Sequence, residues 1–242
     1  MSWLDRLARV SVLALTGLIS SCIDGHEEYW LEADGSGRAE AEYTIPAAVA
    51  TLHGGENGIQ RLLEEFLEST PEIRDSSLQI SSEGNRLNVK VSVAFDSALD
   101  LRKVAAGSAL HKLPDSASHL AGTVFAEIRG RTLDFQRTIA VGKAIPGSAL
   151  LPDSQLEGHK LSYIMHLPAA ATESNATRTE DSGKTLVWEF PLEQTIRKPV
   201  QTRFKMPVPI PWKWVAWIGI PLTLASGAAF AWRRGQRVKN PA

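Results

Sequence analysis

The chain has 242 residues, of which 43% are hydrophobic and 22% are charged, with a formal net charge of −1. This composition is typical of a globular protein and argues against a disordered chain. Residues 22–211 carry 19 basic and 26 acidic side chains, whereas residues 212–242 carry five basic and no acidic ones. An acidic body excludes nucleic acid as the expected partner, because phosphate binding needs a basic face on the folded part.

The N-terminus has the pattern of an export signal. Two arginines in the first nine residues precede an apolar run that ends at Ser21; the run is too short to span a bilayer but typical of a signal peptide. Its last residues, Ile19-Ser-Ser-Cys22, resemble the bacterial lipobox, a signal in which the cysteine is diacylated. Cys22 is the single cysteine, so we predict it as the lipidation site, with residues 1–21 as a lipoprotein signal peptide. The alternative is an ordinary signal peptide that contains a cysteine.

The first half of the domain predicts hairpins and two helices. Alternating apolar residues on both sides of Asp34-Gly-Ser-Gly37 predict a hairpin that ends at Pro46. Apolar residues at helical spacing over 59–67 predict an amphipathic helix. Residues 87–95 alternate as a strand, and residues 98–112 are predicted as a second helix.

Further strands are expected in the second half, near 122–129, 132–141, 159–167, 184–190 and 201–206. Together the elements predict an α+β fold with a largely antiparallel sheet built from hairpins, covered by the two amphipathic helices, and followed by one C-terminal transmembrane helix. Leu186, Trp188 and Phe190 share one strand face. They are interpreted as core residues, and the alternative is the lining of a lipid-accepting cleft.

The C-terminal residues predict that transmembrane helix. The stretch from Trp214 to Trp232 holds no charged residue and would span about 28 Å as a helix, enough for a typical hydrocarbon core. A buried core helix is the alternative. The residues predicted to anchor the span of 212–232 are Trp212, Trp214, Trp217, Trp232, Arg233 and Arg234. The basic tail 233–242 is expected in the cytoplasm, and residues 22–211 are then expected on the outer side of the cytoplasmic (inner) membrane.

Patterns of catalytic or metal sites are weak. The sequence contains no G-x-S-x-G, H-E-x-x-H or Walker-type motif, and its six histidines fall at no ligand spacing. We therefore expect no enzyme, no cofactor and no metal site. Asp24, Glu27 and Glu28 are interpreted as a solvated, charged tether, and the alternative is a set of paired carboxylates.

Several segments together carry a family resemblance. They are the lipobox at Cys22, the Asp34-Gly-Ser-Gly37 turn, Leu167-Pro168, Ser174-Asn-Ala176, Thr185-Leu-Val-Trp188, and the apolar C-terminal stretch with basic residues behind it. In these the chain resembles the mycobacterial lipoprotein family typified by LppM; residues 98–158 are not matched. The resemblance implies an α+β lipid-binding domain outside the cytoplasmic membrane, associated in that family with mannosylated phosphoinositides.

Two functions are expected in order of preference. The first is a membrane-anchored extracytoplasmic lipoprotein that binds or handles a lipid or glycolipid, with membrane lipids as its partners. The alternative is a non-enzymatic interaction subunit of a cell-envelope assembly, with envelope proteins as partners. An envelope hydrolase ranks third, because no nucleophile–base pair can be assigned.

Overall fold

The computed structural model describes residues 24–51, 53–97, 118–119, 121–144 and 151–208. The strands of this part are β1 (Asp24–Leu31), β2 (Gly37–Pro46), β3 (Ile73–Glu83), β4 (Arg86–Phe95), β5 (Thr123–Arg129), β6 (Thr132–Ile139), β7 (Lys160–His166), β8 (Glu173–Ser174), β9 (Arg178–Glu180), β10 (Thr185–Pro191) and β11 (Val200–Pro207). The helices are α1 (Ala47–Thr51), α2 (Gly55–Glu68), α3 (Val141–Ala144), α4 (Asp153–Leu156) and α5 (Leu192–Thr195), with a 3-10 turn at Asp181–Gly183.

These strands form two sheets. The seven-stranded sheet has the order β3-β4-β2-β1-β7-β10-β9, and the four-stranded sheet has the order β5-β6-β11-β8. Neighbouring strands are antiparallel except at the centre of the larger sheet, where β1 and β7 run parallel. A parallel pair needs a long connection, and here the chain between β1 and β7 builds three strands of its own sheet and two of the other.

The first hairpin forms as its sequence predicts. The Asp34 carboxylate accepts hydrogen bonds from the Ser36 amide (3.1 Å) and hydroxyl (2.7 Å), which is the local bonding that makes aspartate a turn residue. Gly35 adopts φ 91°, a conformation that glycine enters without a Cβ penalty. β1 begins at Asp24, however, so strand structure starts five residues before the first predicted strand residue, Tyr29.

One face of the seven-stranded sheet is covered by two different layers. Over β3 and β4 lies α2, whose Ile59 and Leu63 pack against the buried Leu87 and Val89. The four-stranded sheet covers the rest in a larger core, whose largest buried side chain is Trp188, only 1% exposed. The apolar half of each alternating strand is thus buried between layers, as strand amphipathicity requires.

The predicted fold class is wrong in two respects. More than half of the described residues lie in strands, and the second layer is mainly another sheet rather than a pair of helices. The helix predicted at 59–67 is present as α2, while the one predicted at 98–112 lies outside the described residues. The physical reason is that alternating strands bury area against a second sheet as well as against helices.

The C-terminal transmembrane helix is the second correction to the fold class. Within the part of the chain that the structure describes, no helix has both the length and the apolar character needed to cross a membrane. The longest of these helices, α2, has 14 residues, whereas a spanning helix needs roughly 20. The predicted span at 212–232 lies outside the described residues.

Candidate functional site

β1 carries polar residues on both of its faces. Alternation along Asp24–Leu31 sends His26, Glu28 and Trp30 to the outer face, which faces away from the core. The residues between them, including Glu27 and Tyr29, point to the inner face, towards the four-stranded sheet. The strand thus contributes to two polar centres, one exposed and one buried.

The exposed centre is built around Trp30. Directly across β1 from Trp30 lie Arg38 on β2 and His166 on β7. The Arg38 guanidinium carbon lies 3.7 Å from the centroid of the indole ring. The His166 ring stacks on the indole at 5.3 Å between centroids, with an interplanar angle of 11°. Because the two partners flank β1 on opposite sides, they hold the indole between a guanidinium and an imidazole.

Carboxylates and a hydroxyl extend this centre towards β10. His166 Nε2 lies 2.6 Å from Glu28 Oε1, and His166 Nδ1 lies 3.2 Å from Thr185 Oγ1. Thr185 in turn donates its hydroxyl to Asp181 Oδ2 at 2.6 Å. We name Glu28, Trp30, Arg38, His166, Asp181 and Thr185 the Trp30 cluster.

The hydrogen bonds of the Trp30 cluster have a definite direction. An ionised Asp181 only accepts hydrogen bonds, so the Thr185 proton is directed to Asp181 rather than to His166. Thr185 is also only 4% exposed. This direction is opposite to that of a hydroxyl nucleophile activated by a histidine base, in which the hydroxyl donates to the imidazole.

The backbone beside the cluster is strained. Asp181 and Ser182 have φ values of 51° and 56°, and Gly183 follows at 90°. The left-handed region costs a residue with a Cβ roughly 1–2 kcal/mol. Strain of this kind persists where surrounding contacts enforce it and is concentrated at functional sites. Here it places the Asp181 carboxylate against Thr185.

The composition of the Trp30 cluster favours an uncharged, hydroxyl-rich ligand. Its two carboxylates accept hydrogen bonds, and its guanidinium donates them from a side chain that is 56% exposed. A sugar hydroxyl donates and accepts, so it can bond to both kinds of group. A phosphodiester only accepts hydrogen bonds, and its negative charge would be repelled by the carboxylates of Glu28 and Asp181.

The buried centre lies between the two sheets and is formed around Glu27. Arg137 on β6 donates both terminal nitrogens to the Glu27 carboxylate, with Nη2 3.1 Å from Oε1. The hydroxyls of Tyr29 and Tyr43 donate to the same carboxylate. Glu27 is 4% exposed and Arg137 is 7% exposed. We name these four residues, with Tyr163, the Glu27 centre.

The remaining contacts of the Glu27 centre fix its geometry. Arg137 donates Nε to the Ala121 carbonyl oxygen at 2.8 Å, and its guanidinium carbon lies 5.4 Å from the Tyr163 ring centroid. Gly25 leaves room for the Tyr43 ring, since a Cβ at position 25 would lie 2.5 Å from a ring carbon. A glycine at this point therefore lets Tyr43 reach across the sheet to Glu27.

Burial and charge act in opposite directions on the Glu27 carboxyl. Burial alone would raise its pKa, but the charge of Arg137 and the hydrogen bonds from Arg137, Tyr29 and Tyr43 hold that pKa below the ordinary value. Burial, followed by the charge of Glu27, raises the pKa of Tyr43. The centre is thus an ion pair surrounded by neutral phenols, and it connects the two sheets.

Tyr163 is the incompletely bonded member of the Glu27 centre. Its side chain is 4% exposed, and among the described residues its hydroxyl has no partner at full hydrogen-bond geometry, although the Tyr43 hydroxyl is near enough to act on the pKa of Tyr163. Burial, and next the charge of Glu27, raises the pKa of this phenol. A buried hydroxyl without a well-formed hydrogen bond lowers the stability of the fold. The Tyr163 hydroxyl is therefore not expected to stabilise the core.

The structure tests some of the predicted site residues. Cys22 and the anchoring residues Trp212, Trp214, Trp217, Trp232, Arg233 and Arg234 all lie outside the described residues. The interpretation of Trp188 as a core residue is confirmed, because its indole is buried and donates to Asn175 Oδ1 at 2.9 Å. The interpretation of Glu27 and Glu28 as a solvated tether is wrong, since both belong to β1 and each joins one of the two centres.

Arg137 was missed although the sequence carries a signal for it. Leu133, Phe135 and Ile139 alternate along β6, and Arg137 occupies the remaining position of that buried face. A charged residue at a core position of an otherwise apolar alternation predicts a buried partner of opposite charge. The Trp30 cluster has no comparable signal, because it depends on the register of β1 against β2 and β7.

Comparisons with known proteins give one informative match. No protein-family model matches the chain, and no curated protein sequence does. The NMR structure of the folded domain of LppM from Mycobacterium tuberculosis is similar to this chain, with a TM-score of 0.51 at 10% sequence identity. The match covers 78% of this chain and 91% of the LppM domain. The described part of this chain therefore has an LppM-like fold.

Proposed function

We propose that this chain is an extracytoplasmic lipoprotein whose folded domain binds the sugar headgroup of a glycolipid through the Trp30 cluster. The observation that carries the proposal is the cluster itself, in which a partly exposed indole is surrounded by hydrogen-bond donors and acceptors of both charges. Such groups fix the orientation of a polar ligand in binding sites. The LppM-like fold, and the lipobox-like sequence before β1, support the location outside the cytoplasm.

The Trp30 cluster fits a headgroup better than it fits an acyl chain. The Arg38 side chain is 56% exposed and the Glu28 side chain 27%, so the polar groups are accessible on the sheet surface. The indole ring supplies an apolar edge beside them, which suits the C–H groups of a pyranose. An acyl chain would desolvate these charges without offering them hydrogen bonds.

The proposal is tested on the intact protein, purified from its membrane in mild detergent. Lipids are extracted from equal amounts of wild type, Trp30→Leu and Gln79→Ala, and then identified by mass spectrometry. Gln79 is an exposed residue of β3 in the same sheet, so its variant is the matched control. We expect a sugar-bearing lipid with wild type and Gln79→Ala, and a loss of roughly tenfold or more with Trp30→Leu.

Two results would overturn the proposal. One is a wild-type protein that carries no sugar-bearing lipid under conditions that retain ordinary phospholipid. The other is equal retention by Trp30→Leu and wild type. Mass spectrometry of the intact protein from the same preparation reports the N-terminal modification, and a Cys22 without acyl chains would contradict the lipoprotein part of the proposal.

A further inference from the structure

The edge strand β5 exposes two large apolar side chains. Among the described residues, Phe125 at 44% and Ile128 at 47% are the large hydrophobic residues with the highest exposure. β5 lies at the end of the four-stranded sheet and, within the described part, pairs with β6 alone. The register puts Phe125 and Ile128 on opposite faces of β5, so what they share is the free edge of the sheet. They are three residue steps apart along the strand, or about 10 Å.

Positive charge lies beside this apolar edge. β5 ends in the turn Arg129-Gly130-Arg131, in which both arginines are exposed. Glu127 offsets one of them by pairing with Arg129, with 2.8 Å between Oε2 and Nη2. Arg203 on β11 is also exposed and shares the outer face with Phe125, since both are in register with Gln136 of β6. Asp134 on β6 is in register with Glu127, and its charge also acts on Arg129. Three arginines thus face two carboxylates, and the surroundings of the apolar edge remain net positive.

The chain leaves the described domain at the same turn. The Val208 amide donates to the Arg131 carbonyl oxygen at 2.8 Å, which holds the end of β11 against the turn. The sequence that follows contains Trp212, Lys213, Trp214 and Trp217. Tryptophan and lysine are residue types that favour the interface between a membrane and water. The described domain thus ends beside a basic turn, and tryptophan and lysine follow it in the sequence.

We infer that the β5 edge and the Arg129–Arg131 turn form a docking surface for an anionic phospholipid bilayer. Exposed Phe125 and Ile128 enter the boundary between headgroups and acyl chains, a layer that apolar faces of bound proteins penetrate by about 5–10 Å. The arginines remain among the anionic headgroups. The inference goes beyond the proposed glycolipid binding and does not rest on it, because the Trp30 cluster belongs to the other sheet.

The test measures the depth of single positions in the full chain, reconstituted into vesicles. Phe125→Cys and Ile128→Cys are each made in a Cys22→Ser chain and labelled with a nitroxide. Gln79→Cys on β3 is the matched exposed control. Accessibility to oxygen, which concentrates in the bilayer, is compared with accessibility to a water-soluble nickel chelate. The vesicles contain either phosphatidylcholine alone or phosphatidylcholine mixed with phosphatidylglycerol.

With phosphatidylglycerol present, we expect the oxygen-to-nickel ratio at positions 125 and 128 to exceed that at position 79 by roughly threefold or more. Arg131→Gln should reduce this difference, because it removes an exposed charge without touching the apolar pair. Ratios equal to the control in both kinds of vesicle would overturn the inference. Exclusion of both reagents would overturn it in favour of a protein partner on the β5 edge. Neither result would bear on retention of a sugar-bearing lipid by the Trp30 cluster.

Discussion

Replacement of Arg137 by methionine tests the Glu27 centre most directly. Methionine preserves much of the side-chain volume but leaves the Glu27 carboxylate buried. Among the described residues, the Tyr29 and Tyr43 hydroxyls are then the donors that remain bonded to it. Removal of one partner of a buried ion pair costs about 3–5 kcal/mol, because the other charge stays desolvated. For a domain of this size, the loss corresponds to a fall in Tm of roughly 6–20 °C.

The measurement is thermal unfolding of the full chain at pH 7, followed by far-UV circular dichroism. Arg203→Met is the matched control, since Arg203 is an exposed arginine in the same sheet. We expect this control to change the free energy of unfolding by no more than about 0.5 kcal/mol. Addition of Glu27→Gln to Arg137→Met should recover part of the lost stability, because a neutral amide still accepts from the two phenols and no unpaired charge remains.

Arg137→Met should also reverse the way in which the contribution of Glu27 to the stability of the fold depends on pH. In the wild type the pKa of Glu27 is held below its ordinary value. This stabilisation is therefore complete above the unfolded pKa of about 4.3 and is lost as the pH falls through the folded value. Without Arg137, burial dominates and raises that pKa, so the variant regains stability as the carboxyl protonates. The Tm difference between wild type and variant should therefore begin to narrow above about pH 4.3, as the carboxyl of the variant protonates, and narrow further below it, as the wild type loses its stabilisation.

Three results would refute this account of the Glu27 centre. The first is a free energy of unfolding for Arg137→Met within about 1 kcal/mol of that of the wild type. The second is a Tm difference that stays constant from pH 7 down to acid. The third is further destabilisation when Glu27→Gln is added, which would mean that the carboxylate stabilises the fold without its cation.

Two further substitutions test single contacts. Tyr163→Phe removes the buried hydroxyl that lacks a well-formed hydrogen bond among the described residues, so Tm should rise by roughly 2–4 °C for about 1 kcal/mol; a fall in Tm would show that the hydroxyl is bonded. Gly142→Ala places a Cβ 2.0 Å from the Ile196 carbonyl oxygen and should cost roughly 1–3 kcal/mol through backbone displacement. Lys143→Ala, at the exposed neighbouring position, should have a free energy of unfolding within about 0.5 kcal/mol of the wild type. Equal free energies of unfolding for the two variants would contradict the close approach of Gly142 to the Ile196 carbonyl oxygen.

Local patterns predicted individual elements well. The Asp34 turn, the amphipathic α2 and the alternation of β4 each follow from residues within about ten positions of one another, and all three are present. The core role of Trp188 was likewise visible in its strand. These features depend on backbone propensity and periodicity, which a short segment contains in full.

Contacts between distant segments could not be predicted in the same way. Glu27 and Arg137 are 110 positions apart, and nothing near Glu27 indicates which cation it meets. The layer that covers β7 and β10 was expected to be helical, because an alternating strand reports only that one of its faces is buried. Whether a helix or a sheet covers that face is decided by β6 and β11, which lie outside the segments that form β7 and β10.

The two centres on β1 depend on the same register of that strand. Strand side chains alternate with a period of two, so a shift of β1 by one residue would bury Glu28 and Trp30 and expose Glu27 and Tyr29. In that shifted register, Arg137 would lose the carboxylate that now neutralises it inside the core. A buried ion pair adds little net stability but makes alternative registers costly. The Glu27 centre therefore specifies the register that keeps Trp30 between Arg38 and His166 on the accessible face.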